Sequence, residues 1–337
     1  MRKTILAALL LSAAALPISV VTAQQAAHDP APTPVPAASV EAPRAAPKLI
    51  IAISVDQYSA DLFSEYRQIY TGGLARLAGG VVFPQGFQSH GNTETCPGHS
   101  TILTGSYPAR TGIISNNWFD QSLSRDDKKV YCSEDPTVPG TSSATGHYSP
   151  SNHYLRVPTL GDRMIAANAA TQVVSVAGKD RAAIMMGGHR AQDLWWLSPT
   201  GLSSFPGVQP SQTITQISTA LTAALAQPRP AMELPAQCQS RSVPVAIGGG
   251  RTVGTGLFGR AAGNFRGLLA SPEADGDVLA AAATLRASRH LGEGATTDLL
   301  IVGLSATDYV GHTYGTEGSE MCVQMLALDR QLGEFFT

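Results

Sequence analysis

The sequence predicts an α/β protein: a doubly wound, mostly parallel sheet with helices on both faces and an inserted cap or lid. Three observations carry that prediction. Apolar, β-branched runs recur at 48–55 (KLIIAISV), 172–177 (QVVSVA) and 297–304 (TDLLIVGL). Segments of helical period separate them, and each run stops abruptly at polar residues: Asp56, then Lys179 with Arg181, then Asp308 with His312. Continuous apolar runs are what parallel strands buried on both faces require, and ligands of such sheets sit at the carboxyl ends of the strands.

At the N-terminus, Arg2 and Lys3 precede an apolar run over 4–21, and Val21-Thr22-Ala23 stands before Gln24. This is a signal-peptide pattern, so residues 1–23 are expected to be removed on export to the periplasm or beyond, without a stable membrane anchor. Residues 24–47 are dominated by Ala and Pro (PAPTPVPAA at the centre) and read as a tether that forms neither helix nor ladder. The folded domain is expected over 48–337.

Charged residues make up 14% of the chain and the net charge is −2, which gives no basis for a nucleic-acid surface and points to small-molecule partners. Cys96, Cys132, Cys238 and Cys322 form no Cys-x-x-Cys pair, which argues against a structural zinc knuckle. Up to two disulfides fit an exported protein, and all three pairings are open. A Cys96 thiol nucleophile is disfavoured, since no partner base lies near it in sequence.

Within the domain, 60–78 has helical spacing broken by glycines, and 80–88 (GVVFPQGFQ) reads as a short strand. It leads into the loop 91–105, GNTETCPGHSTILTG, whose Thr-Cys-Pro-Gly-His reads as a helix start with Thr95 as cap and Pro97 in the first turn. Free N–H groups and the helix dipole make that end suited to an anion or to developing negative charge. The paired asparagines of GIISNNWFD (112–120) are turn formers with amide donors. Residues 160–171 read as an amphipathic helix, 182–186 as a short strand before Gly187-Gly188, and Trp195 with Trp196 as cap packing. Helices are expected at 211–225, 277–290 and 319–336, and 227–271, rich in Pro, Gly, Ser and Arg, as an insertion or lid.

Taken singly, each polar site has an ordinary structural reading: Thr95 a helix cap, Asp56 a turn residue, Lys179 and Arg181 a solvated turn. Asp308-x-x-x-His312 alone is a weak metal signal. In combination, ISVDQ at Asp56, TETCPGHSTILTG at Thr95, GIISNNWFD at Asn116, GKDR at 178–181 and SATDYVGHTYG at Asp308 and His312 resemble, in order, the alkaline phosphatase superfamily. The branch is that of type I phosphodiesterases and nucleotide pyrophosphatases with a threonine nucleophile, and Asn116 with Lys179-x-Arg181 is similar to its phosphomonoesterases.

That resemblance implies an alkaline phosphatase-like domain over 48–337 that hydrolyses phosphate monoesters through a phosphothreonine at Thr95, using two Zn²⁺ ions. One zinc would be held by Asp308 and His312, the other by Asp56 with Thr95 bridging to it. Lys179, Arg181 and Asn116 would bind the phosphoryl oxygens. The family's Asp-His-Gly motif and later histidine have no counterpart before Thr337, so three ligands are missing and the domain is expected to be incomplete at its C-terminus. His99 and His189 lie where the family recruits no ligands. The competing readings are a phosphodiesterase or nucleotide pyrophosphatase, and a fragment without catalysis.

Overall fold

The computed structural model describes residues 45–83, 86–88, 90–142 and 146–337. The signal-peptide segment and nearly all of the Pro/Ala tether lie outside them. Residues Ala46–Thr337 cluster as one compact unit.

The chain enters the sheet through β1 (Leu49–Val55) and turns into α1 (Ala60–Tyr66), which Ser59 caps by accepting the Leu62 N–H. Next comes α2 (Gly73–Ala78), whose amino end is held by Asp329 far along the chain. The described residues between 80 and 88 form no strand, contrary to the sequence reading; Val81, Phe83 and Phe87 are exposed and have no sheet partner. Two helices follow, α3 (Thr95–Thr104) and the short α4 (Pro108–Thr111), then an antiparallel ribbon of β2 (Asn117–Phe119) and β3 (Lys129–Tyr131).

A capping box between Thr159 and Asp162 starts α5 (Leu160–Ala167), which leads to β4 (Val173–Ala177). The expected strand at 182–186 is instead part of α6 (Asp180–Gly187): its small and unbranched residues pack all round a buried helix, which apolarity alone does not distinguish from a strand. Trp195 and Trp196 belong not to a cap but to β5 (Asp193–Ser198), which pairs with β6 (Gly201–Ser203). The long α7 (Gln212–Leu225) follows.

The region read as a lid contains a 3₁₀ turn (Ala236–Arg241), a ribbon of β7 (Val245–Ala246) and β8 (Thr252–Val253), and α8 (Phe265–Leu269). The chain ends with α9 (Glu273–Ser288), β9 (Asp298–Leu304), α10 (Ala306–Tyr314) and α11 (Ser319–Phe335). Disulfides join Cys96 to Cys132 and Cys238 to Cys322, which selects one of the three pairings and removes Cys96 as a thiol nucleophile.

The main sheet has the order β1-β9-β4-β5-β6, parallel except for β6. One face packs Val174, Val176, Leu300 and Val302 against α9 and α11; the other packs Val173, Leu299 and Ile301 against α6 and the Cys96 region. Among the described residues β1 is an edge strand, half-buried with Ile51 40% exposed, so it is less covered than its apolar run predicts. The neighbouring strands end in register: the Asp56 N–H donates to the Leu304 carbonyl and the Gly178 N–H to the Gly303 carbonyl, each at 2.9 Å. Three polar strand ends are thereby brought to one edge.

Candidate active site

The first group comes from β1. Asp56 follows Val55 and is half-buried beside the amino end of α3. In that helix Glu94, not Thr95, occupies the cap position; Thr95 is the first helical residue, and its hydroxyl is not used as a cap. Thr95 Oγ1 donates instead to Asp56 Oδ2 at 3.3 Å. The N–H of the next residue, Cys96, donates to Asn116 Oδ1 at 2.8 Å. Accepting through Oδ1 leaves the Asn116 Nδ2 donors for another partner.

The second group comes from β4. Lys179 is the N-cap of α6 and Arg181 its second residue, so the chain turns helical between them. Gly178 is needed for the approach of strand ends, because a Cβ there would lie 2.9 Å from the Ser305 Cβ. The buried Lys179 ammonium donates to Asp56 Oδ2 at 2.6 Å and also to Asp308 Oδ2. It stands 4.7 Å from the centre of the Tyr309 ring, a favourable cation–π placement.

Arg181 donates from one terminal nitrogen to the Tyr131 hydroxyl at 3.3 Å. Tyr131 and Tyr148 in turn donate to the Asp180 carboxylate, at 2.9 and 2.7 Å. The Arg181 Nε is buried with no hydrogen-bond partner, although Arg181 is close enough to Asp56 and Glu94 to favour their ionised forms.

The third group comes from β9 through α10. Asp308 and His312 are one turn apart on that helix, with His312 Nε2 3.3 Å from Asp308 Oδ1 and the imidazole largely exposed. Asp308, Lys179, Asp56 and Thr95 thus form one chain of contacts, with His312 at one end and Asn116 joined through Cys96. All seven residues singled out in the sequence reach this edge; Arg181 is turned toward Tyr131.

Burial opposes ionisation of Asp56, but the Lys179 ammonium, through charge and hydrogen bond, outweighs it with help from Arg181 and holds the carboxyl below the ordinary aspartate value. His99 is buried beneath the site, with Nδ1 donating to the Thr95 carbonyl at 2.8 Å and Nε2 accepting from Ser54 Oγ at 3.2 Å. Burial depresses its pKa and keeps it neutral. His189 pairs with Asp162 away from these residues. Neither histidine approaches Asp308. A cleft of about 680 Å³ opens beside Asp56 and Thr95, with Leu74, Leu77 and Ile102 along its wall.

Carboxylate, imidazole and hydroxyl donors are the right types for a divalent ion such as zinc. Asp308 with His312, and Asp56 with Thr95, each supply two donors. Among the described residues no three of His, Cys, Asp and Glu gather into one ligand group. The donor chemistry therefore fits a metal, while the four ligands of a closed zinc site do not come from these residues alone.

Several contributors gave no signal in the sequence. Tyr131 and Tyr148 come from a ribbon and a loop without a motif, and Glu94, which grips Ser115 Oγ and the Asn116 N–H at 2.6 Å each, looks like an ordinary loop residue. Asp180 lies within GKDR between the two cations, with nothing in the sequence to mark it as a contributor.

Residues 50–337 match the family model of type I phosphodiesterases and nucleotide pyrophosphatases, and the chain belongs to that family, within the alkaline phosphatase superfamily. It is 61% identical over 292 residues to alkaline phosphatase PhoK of Sphingomonas sp., a match covering 86% of this chain and 52% of the relative. With alkaline phosphatase PhoD of Zymomonas mobilis the identity is 50% over 285 residues, covering 84% and 49%. The crystal structure of alkaline phosphatase PafA superposes with a TM-score of 0.72 at 29% identity, over 86% of this chain and 59% of that one, which establishes the shared fold. The chain spans about half the length of the curated relatives it matches. A PafA variant structure carries replacements at one Thr, one Asn, one Lys and one Arg, in that order, with the Thr and Asn 21 positions apart and the Lys and Arg two apart, spacings that Thr95, Asn116, Lys179 and Arg181 share.

Proposed function

We propose that this chain carries the nucleophile and phosphate-binding half of an exported, zinc-dependent alkaline phosphatase that hydrolyses small phosphate monoesters through a phosphothreonine at Thr95. The observation that carries the reading is the chain Thr95–Asp56–Lys179–Asp308 at one sheet edge, in a protein 61% identical to an alkaline phosphatase.

Asp56 holds the Thr95 hydroxyl proton at Oδ2 and so turns the oxygen lone pairs outward toward an incoming phosphorus. The amino end of α3 lies at the same point and favours the negative charge that develops there. Thr95 Oγ1 attacks phosphorus in line, the ester oxygen departs on the opposite side, and water then cleaves the phosphothreonine to release phosphate. Lys179 provides a point charge and Arg181 a planar fork for the nonbridging oxygens, while Asn116 Nδ2 donates to one of them. Zn²⁺, two ions per complete site, would be held in part by Asp308 with His312 and by Asp56 with Thr95, and supplies a lowered hydroxyl pKa together with neutralisation of the phosphoryl charge.

A monoester dianion carries one more charged oxygen than a diester, and the two cations favour it. Export is supported by the basic-then-apolar start of the sequence and by the two disulfides, which persist in oxidising compartments. Among the described residues no helix is long and apolar enough to cross a membrane.

The test is turnover of a nitrophenyl phosphate against a bis-nitrophenyl phosphate, with zinc content measured, in the longest reading frame containing these 337 residues. Preference for the monoester, two zincs and loss of turnover in Thr95→Ala are expected. Preference for the diester would replace this reading with the phosphodiesterase one, and absence of zinc with no turnover would leave a non-catalytic protein.

A further inference from the structure

The helix that carries Asp308 and His312 does not cap itself. Ser305, in the cap position of α10, makes no side-chain cap bond, and its Oγ is buried without a partner. The first N–H groups go instead to Asp275 on α9, whose Oδ1 accepts from Ser305 N and Ala306 N at 2.9 Å each. Its other oxygen accepts from Gln324 Nε2 of α11 at 3.0 Å, and the same amide reaches Thr307 Oγ1 at 3.3 Å.

Asp275 and Gln324 are both 0% exposed. A carboxylate removed from water is costly unless donors replace its hydration, and here three do, two of them backbone groups immediately before Asp308. Burial still pushes the Asp275 carboxyl up to about 6, against the pull of those donors. The network ties residues 305–307 to two separate helices, and Asp308 and His312 follow on the same helix.

The geometry points to Asp275, assisted by Gln324, as a positioning residue that sets the place of Asp308 and His312 through the amino end of α10. It touches neither ligand. The inference rests on the proposed reading that Asp308 and His312 hold a metal ion.

The test compares Asp275→Ala, Asp275→Asn and Gln324→Met with the wild type in the full-length protein. It measures Zn²⁺ affinity of the metal-stripped protein by chelator competition, kcat and KM on nitrophenyl phosphate, and amide hydrogen exchange at Ser305 and Ala306. Asp275→Ala is expected to weaken zinc binding by about tenfold or more, the scale for groups that orient a metal ligand, to lower kcat with KM little changed, and to speed exchange at both amides. Gln324→Met should move all readouts the same way by less.

Asp275→Asn keeps an oxygen for both backbone donors. Gln324 Oε1, buried without a partner, can rotate to accept the new amide N–H. This variant is therefore expected to bind zinc within about threefold of wild type, well short of the roughly tenfold or greater loss on removing such a group. Unchanged zinc affinity and kcat in Asp275→Ala, or in Gln324→Met should the former not fold, would overturn the inference. So would an Asp275→Asn as damaged as Asp275→Ala, since charge rather than position would then be at work. Failure of the underlying metal reading is separately visible, because Asp308→Ala would then bind zinc as tightly as the wild type.

Discussion

The Asn116 side-chain carbonyl accepts the backbone N–H of Cys96 at 2.8 Å, so the Asn116 amide is fastened to the peptide next to Thr95. Glu94 holds the other side of the same unit by accepting the Asn116 N–H at 2.6 Å. Thr95 and Asn116 are therefore tied together as one piece, and in the proposed reading the relative placement of nucleophile and amide donor does not wait for substrate.

Two substitutions separate the halves of that arrangement. Asn116→Ala removes the donor and orphans the Cys96 N–H; kcat/KM for a monoester is expected to fall by about 10²-fold, with a loss of about 1–3 kcal/mol in stability. Asn116→Asp still accepts from Cys96, so its melting temperature should recover while turnover stays low. Steady-state kinetics and thermal melts on both proteins check this, and normal turnover in either would remove Asn116 from the site.

Lys179 and Arg181 predict a selective loss. A charge-assisted hydrogen bond is worth about 1.5–3 kcal/mol, so deleting both cations should cut monoester turnover at least about tenfold more than diester turnover. Equal losses on the two nitrophenyl substrates would contradict the charge argument. Lys179→Ala alone also leaves Asp56 and Asp308 without their shared cation, and it is expected to lower the melting temperature in chelator more than in excess zinc.

The two disulfides are expected to differ in what they protect. Cys238–Cys322 closes a loop of 84 residues between the 3₁₀ turn and α11; replacing the pair with serine should cost about 4–5 kcal/mol in the chain-entropy picture and leave kcat unchanged at low temperature. Cys96–Cys132 joins the residue after Thr95 to one whose N–H donates to the Asn116 carbonyl at 3.0 Å. Its replacement should lower kcat as well, by about tenfold, since displacement of a catalytic group by an ångström costs up to about 10²-fold. Equal kcat in the two double variants would show that the first bridge has no hold on the site.

The three strands and their polar ends were readable because apolar runs and abrupt stops are local in sequence, and parallel topology carries such ends to one edge. Asp56, Lys179 and Asp308 meet for that reason, and the amino end of α3 brings Thr95 to them. What failed locally was tertiary in origin: 182–186 is as apolar as a strand but packs as a helix, and β1 reads as buried on both faces yet lies at the edge of the described sheet. Asp275, Tyr131 and Tyr148 reach the residues they contact from 30 to 49 positions away in sequence, and no spacing rule connects them.

Away from the site, His189 and Asp162 make a pH-dependent contribution to stability. His189 presents Nδ1 to Asp162 Oδ2 at 3.2 Å and Nε2 to the Leu155 carbonyl at 2.9 Å, so both nitrogens face acceptors and the protonated ring satisfies both. The Asp162 hydrogen bond raises the His189 pKa, with burial opposing. Burial opposes ionisation of Asp162 too, but His189 and the Thr159 N–H outweigh it and bring the carboxyl down to about 2. The raised His189 stabilises fully below its unfolded value of about 6.5 and loses that contribution as pH rises through the folded value. The depressed Asp162 stabilises above about 3.9 and loses its contribution as pH falls toward 2. The melting-temperature gap between wild type and His189→Ala should therefore be widest between about pH 4 and 6.5 and narrow on either side. A gap that stays constant from pH 3 to pH 9 would mean that the imidazole contributes packing alone.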